Sequence, residues 1–136
     1  MAGYSQASSI AAYKSVATHG SAIEAEPHQL ISMLMDGALE RLLSARGSIE
    51  RGDLVAKAGL LHRVGAIIDE LRSSLDHSAG GNIAGDLDRL YDYMLRRVLV
   101  ANLKNDVAAI DEVLKLLRQI RDAWVAIPAQ HRSAKK

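Results

Sequence analysis

The sequence contains no cysteine. Disulfides, thiolate metal sites and cysteine nucleophiles are therefore excluded. Phenylalanine is also absent, and aromatics make up only 4% of residues, four Tyr and one Trp. There are just two prolines, so little interrupts regular structure. Neither sign of charge dominates. The formal net charge is +1, which gives no strong pull toward nucleic acid or an anionic membrane. No apolar run approaches the roughly 20 residues of a spanning helix. Met1 to Ser5 shows no basic segment leading into an apolar one, so no secretory signal is expected there, and a soluble cytoplasmic protein is.

What is present is 136 residues, 49% hydrophobic and 24% charged, the size and balance of one globular domain. Ala and Leu, both strong helix formers, supply much of the apolar content. Helical periodicity is the only period sustained along the chain. A first, weakly amphipathic segment runs from about Gln6 to His19, with Ile10, Tyr13 and Val16 on a narrow stripe. A second runs from Pro27, suited to a first helical position, to Arg51, with Gly52 as its stop. A third runs from Leu54 to His77 with Asp53 as N-cap. A fourth spans Ile83 to Lys104 behind Asn82, and a fifth Val107 to Ile127 behind Asp106. Short connections make the four long helices antiparallel neighbours. The expected fold is all-α, an antiparallel up-down four-helix bundle with a short accessory N-terminal helix. Its parts are an N-terminal segment over 1–26 carrying a movable cap helix, the bundle over 27–127, and a small basic disordered tail over 128–136.

Chemistry-bearing constellations are weak. Bundles can hold di-metal sites through Glu-x-x-His on two helices, but no such pair occurs here. Asp36, Glu40, Asp69, Glu70, Asp88 and Asp92 fall mainly on polar arcs, the ordinary place for solvated charge. No metal and no cofactor is expected. No two of the five histidines stand at ligand spacing. His62 lies mid-helix off the apolar arc, as in histidine phosphotransfer bundles, but its basic and glycine neighbours are at a different spacing from theirs. A lone surface histidine is the better account of it. Arg51-Gly52-Asp53 spells an adhesion tripeptide, yet a helix stop followed by a cap accounts for Gly52 and Asp53. Gly81 and Gly85 match a membrane dimerisation spacing outside any apolar span. No phosphate-binding glycine loop and no serine nucleophile motif is present.

The surplus is apolar. On the second helix the apolar arc approaches 180°, where one core seam needs little more than about 100°. Met35 and Leu39 lie toward its far edge, with Leu43 beyond. Tyr93 and Val100 stand on an otherwise polar side of the fourth helix. These five residues are the candidates for a groove that receives a partner, with Ile10, Tyr13 and Val16 as a cap that covers it at rest. An ordinary core with scattered surface apolars is the plainer account. Tyr91, Met94 and Trp124 are assigned to the core.

Several blocks resemble the flagellin-specific export chaperone family, FliS, in that family's order. They are Ala12-Tyr13-Lys14-Ser15-Val16-Ala17-Thr18, then Pro27 followed by Leu30 to Ala38, then Gly81-Asn82-Ile83-Ala84 with Leu87-Asp88-Arg89-Leu90-Tyr91-Asp92-Tyr93-Met94. Ala101-Asn102 and Glu112-Val113 through Arg121-Asp122-Ala123-Trp124 complete the series. Two positions depart from the pattern: Met35 stands where the family often has Tyr, and Glu26 where it has a small hydroxyl residue. The resemblance implies a non-enzymatic cytoplasmic bundle that binds the disordered C-terminal segment of flagellin, one to one. It would prevent premature polymerisation and support secretion, with the flagellar export apparatus as a further contact. No nucleotide, nucleic acid or membrane insertion is implied. A disordered partner that folds on binding can lay amphipathic segments into grooves between helices. A histidine phosphotransfer-type bundle and a generic helical peptide-binding adaptor are the alternatives.

Overall fold

The structure is a computed structural model that describes residues 26–80 and 82–128. The expected cap helix, with Ile10, Tyr13 and Val16, and the tail beyond Pro128 lie outside the described residues. The described residues are helical, without strands: α1 (Pro27–Arg51), α2 (Leu54–Ser73), a single turn α3 (His77–Gly80), α4 (Asn82–Lys104) and α5 (Val107–Val125).

Both tight connections use the same device. Gly52 adopts φ 75°, a left-handed conformation that costs glycine little. Its N–H bonds the Ile49 carbonyl at 3.0 Å, and the Asp53 N–H bonds the Ser48 carbonyl at 2.8 Å. This paired closure satisfies carbonyls that the end of α1 would leave open. Asp53 then starts α2, its carboxylate accepting from the Ala56 N–H at 3.1 Å. Between α4 and α5, Asn105 takes the left-handed position at φ 54°. The Asp106 N–H returns to the Ala101 carbonyl at 3.2 Å, and the Asp106 carboxylate caps Ala109. Gly52 and Asp53 thus serve as stop and cap in the adhesion-like tripeptide.

The α2–α4 connection differs from the expected outline. The predicted third helix runs to His77, but α2 ends at Ser73. Ser73 and Ser74 hydroxyls donate to the Asp69 and Glu70 carbonyls, both at 2.9 Å. Serines bonded back in this way compete with continuation of the helix. Asp76 then accepts from the Ala79 N–H at 3.1 Å and begins α3, a turn that periodicity did not predict.

The long helices form a ring in which α1 packs on α2, α2 on α4, α4 on α5 and α5 on α1. Cross-helix pairs fix the directions. Asp36 meets Arg121 while Arg46 meets Asp111, so α1 and α5 run antiparallel. Lys57 meets Asn102 while Arg72 meets Asp88, so α2 and α4 do too. This is the expected up-down four-helix bundle. Its interior is filled by large side chains such as Leu30, Leu42, Ile68 and Met94. Ala38, Ala45, Ala101 and Ala109 are fully buried and let the backbones approach. Tyr91 and Met94 are core residues, as expected. Burial pushes the Tyr91 hydroxyl up to about 12, because the charged phenolate is the form that loses most from leaving water.

The ring is closed at one end by His28 and Trp124. Their rings stack with centroids 4.6 Å apart and planes 9° from parallel. The Trp124 Nε1–H donates to the His28 carbonyl at 2.8 Å, and His28 Nε2 lies 2.6 Å from the Trp124 carbonyl. A carbonyl only accepts, so Nε2 carries the proton. His28, one of the lone histidines of the sequence, is a buried clasp joining the first turn of α1 to the last turn of α5. Trp124, assigned to the core, is half-buried at its edge.

Candidate functional site

Four of the five groove candidates fall on two different seams, on opposite sides of α5. Leu39 and Leu43 lie between Asp36 and Arg46 at three- and four-residue spacings, so they share the face of α1 that meets α5. Leu39 is half-buried against the core, whereas Leu43 is 50% exposed. Each end of this strip is closed by a cross-helix ion pair. Arg121 Nε donates to Asp36 at 2.9 Å, and Arg46 Nε donates to Asp111 at 2.8 Å. All four side chains are partly exposed, so the pairs fix the borders of the strip more than they stabilise the fold.

Met35 is a correction. It was expected on the far edge of the apolar arc, facing a groove, but it is 1% exposed and belongs to the core. In a closed ring α1 packs against two neighbours, α2 and α5. Its apolar arc must therefore serve two seams, and much of the apparent surplus is ordinary core.

Tyr93 and Val100 lie on the α4–α5 seam. The Tyr93 hydroxyl donates to Glu112 Oε2 at 2.5 Å, and Arg97 Nε donates to Glu112 Oε1 at 2.7 Å. One carboxylate thus holds two side chains of α4 one turn apart. The hydrogen bond from Tyr93, followed by that from Arg97, keeps Glu112 below the usual carboxylate range. The same bond to Glu112 raises the Tyr93 hydroxyl above its ordinary value. Tyr93 is 37% exposed, its ring anchored at the tip. Val100 is half-buried against the core one turn beyond Arg97. The structure therefore brings Leu39 together with Leu43, and Tyr93 with Val100, but does not merge the two pairs.

Sequence reasoning missed two features. The first is a group of exposed apolar side chains where α2 begins and α4 ends: Leu54, Val55, Leu99 and Leu103, with Val55 at 87%. Leu99 and Leu103 are four residues apart on the polar side of α4, a signal that was available. The second is Lys57, only 6% exposed. Its ammonium donates to the Asn102 carbonyl at 2.8 Å, in the last turn of α4, where a cation suits the helix dipole. Lys57 precedes Leu61 and Val64 at stripe spacing, which marks it as a cation in a core position. The other carboxylate–arginine cluster joins α2 to α4, with Arg72 Nε donating to Asp88 at 2.7 Å and Nη1 to Asp92 at 3.4 Å. The Arg72 hydrogen bond holds Asp88 below the usual carboxylate range.

No group of acidic and histidine side chains among the described residues could hold a metal ion. No helix among them is long and apolar enough to cross a membrane. His62 is exposed on the outer face of α2.

A family model described as flagellar protein FliS matches residues 9–131. The chain belongs to the FliS family. It is 50% identical over 122 residues to the flagellar secretion chaperone FliS of Salmonella typhimurium, covering 89% of this chain and 90% of that relative. It is 44% identical over 115 residues to the flagellar secretion chaperone FliSB of Pseudomonas aeruginosa, covering 85% and 91%. The FliS of Vibrio cholerae is 39% identical over 123 residues, covering 90% of each. The role that goes with FliS membership is that of a flagellar secretion chaperone. Neither the phosphotransfer bundle nor the generic adaptor is favoured beside it. All five groove candidates fall within the matched residues.

Proposed function

We propose that this FliS chain is a cytosolic, non-enzymatic chaperone whose client is flagellin, bound one to one through its disordered C-terminal segment. The segment folds into amphipathic helices as it lies in the seams that flank α5. Leu39 and Leu43 receive it on one side, Tyr93 and Val100 on the other. Binding keeps the segment from polymerising before the client reaches the flagellar export apparatus, and no cofactor takes part.

The observation that carries this reading is the half-exposed Leu43 between two ion-paired borders, on a chain whose relatives are named flagellar secretion chaperones. Apolar side chains held open beside a packed core suit a partner that brings its own apolar face. Coupled folding and binding pays an ordering cost, so affinity comes from a long contact and not from one deep pocket. Met35, buried in the core, takes no part in the seams. Ile10, Tyr13 and Val16 remain proposed as a cap over the empty seams. Calorimetry with full-length flagellin and with flagellin lacking its C-terminal segment tests the reading. Binding to the first and none to the second is expected; equal affinity for both would sink it. Leu43→Asp should weaken binding about tenfold or more while leaving helical content unchanged.

A further inference from the structure

Arginines at the helix seams of this bundle end on carboxylates of the facing helix. Arg46 reaches Asp111 and Arg121 reaches Asp36 between α1 and α5. Arg72 reaches Asp88 and Asp92 between α2 and α4, and Arg97 reaches Glu112 between α4 and α5. Arg118 breaks the pattern. It stands on the same stripe of α5, three residues before Arg121 and two turns after Asp111. It is exposed and has no hydrogen bond or ion pair among the described residues.

Its position is set by the register. With Asp36 against Arg121 and Arg46 against Asp111, Arg118 is level with Leu39, and Leu43 is level with Leu114. The strip between the two ion pairs therefore has Leu39 and Leu43 on its α1 bank, with exposed Glu40 at its outer edge, and on its α5 bank the Arg118 guanidinium, without a hydrogen bond or ion pair among the described residues. It is about ten residues long, about 15 Å, which holds nearly three turns of helix. Lys115 also has no hydrogen bond or ion pair among the described residues, but at about 100° per residue it lies about 60° further round α5 from the core than Arg118, where a solvated ammonium is ordinary. Arg118 is different because anything that covers Leu39 and Leu43 also removes water from its guanidinium. A charge stripped of water and left without a counter-charge opposes the contact.

We infer that the segment seated in the α1–α5 seam is an amphipathic helix that covers Leu39 and Leu43 and carries an Asp or Glu that pairs with Arg118. The inference rests on the client-binding role proposed for that seam. A guanidinium presents a planar fork that takes a carboxylate through two parallel bonds. Arg118 is then a specificity residue. It fixes the register of the client helix and disfavours segments that place an apolar or basic side chain there.

The test uses the full chain and the C-terminal segment of flagellin from the same organism, by calorimetry, with circular dichroism to confirm folding of each variant. Arg118→Gln should bind about tenfold more weakly, and its affinity should depend less on salt than that of the unaltered chain. Arg118→Lys should recover part of the loss. Lys115→Gln should stay within about twofold. Replacing the acidic residues of the segment one at a time by their amides should reveal one position whose loss does not add to that of Arg118→Gln. Unchanged affinity in Arg118→Gln while Leu43→Asp abolishes binding would overturn the pairing and keep the seam. Unchanged affinity in both variants would overturn the pairing and move the client to another seam. No binding by the unaltered chain would overturn the client reading together with it.

Discussion

The His28–Trp124 clasp lends itself to a quantitative test, because each of its contacts can be removed separately. A neutral hydrogen bond nets about 1 kcal/mol, and a stacked ring pair about 0.5–1.5 kcal/mol. His28→Ala removes the Nε2 bond to the Trp124 carbonyl and the stack, for a loss of about 2 kcal/mol. Trp124→Ala removes the Nε1 bond, the stack and the burial of a half-buried indole, for about 3 kcal/mol. The two hydrogen bonds each end on a backbone carbonyl and survive truncation of the other side chain. Only the stack is shared. The double variant should therefore lose about 4 kcal/mol, leaving a coupling of about 1 kcal/mol. Urea unfolding followed by far-ultraviolet circular dichroism suits the series, since Trp124 is the only tryptophan and is itself replaced. A coupling below about 0.3 kcal/mol would refute the claim that the stacked rings hold α1 to α5.

The fold makes three further quantitative demands. Lys57→Ala should cost about 2 kcal/mol, from an orphaned Asn102 carbonyl and lost stem packing, while Lys115→Ala stays within about 0.5 kcal/mol; equal losses in urea unfolding would argue against the cap. Gly52→Ala, forced to φ 75°, should lose about 1 kcal/mol, and Asn105→Gly should lose nothing or gain slightly, both read as shifts in the urea midpoint. The Tyr91 hydroxyl is raised to about 12 in the folded chain against about 10 unfolded. As pH rises above about 10 the unfolded chain releases this proton first, so stability is full below that pH and falls through the window up to about 12. The loss should be about 1 kcal/mol by pH 11 and absent in Tyr91→Phe.

Much of the architecture was legible because helix signals here are local and redundant. Pro27, Asp53 and Asp106 mark starts, Gly52 marks a stop, and the stripes between them are long. The miss at Ser73 has a local cause too. Two serine hydroxyls bonding back to the carbonyls of the preceding turn end α2 one turn early, and periodicity does not register them because Leu75 keeps the stripe in phase. Cross-chain chemistry was a different matter. His28 and Trp124 are far apart in sequence, and nothing local to either shows that their rings meet. Lys57 could have been flagged from its stripe position, but not the carbonyl it caps.

The groove shows where periodicity stops deciding. It measures the width of an apolar arc, not the number of neighbours that arc must cover. α1 faces two helices at once, so an arc near half the circumference is what closing the ring demands, and Met35 is consumed by it. What remains open is set by side-chain reach across each seam. Leu43 stays half exposed next to fully buried Leu42. Arg46 and Arg121 are drawn to the two ends of the strip by Asp111 and Asp36 and so do not fold over it. Tyr93 is likewise kept at the border of its seam by Glu112. The ion pairs thus help set which apolar residues the bundle covers and which it leaves exposed, and that partition becomes visible only once the register between helices is known.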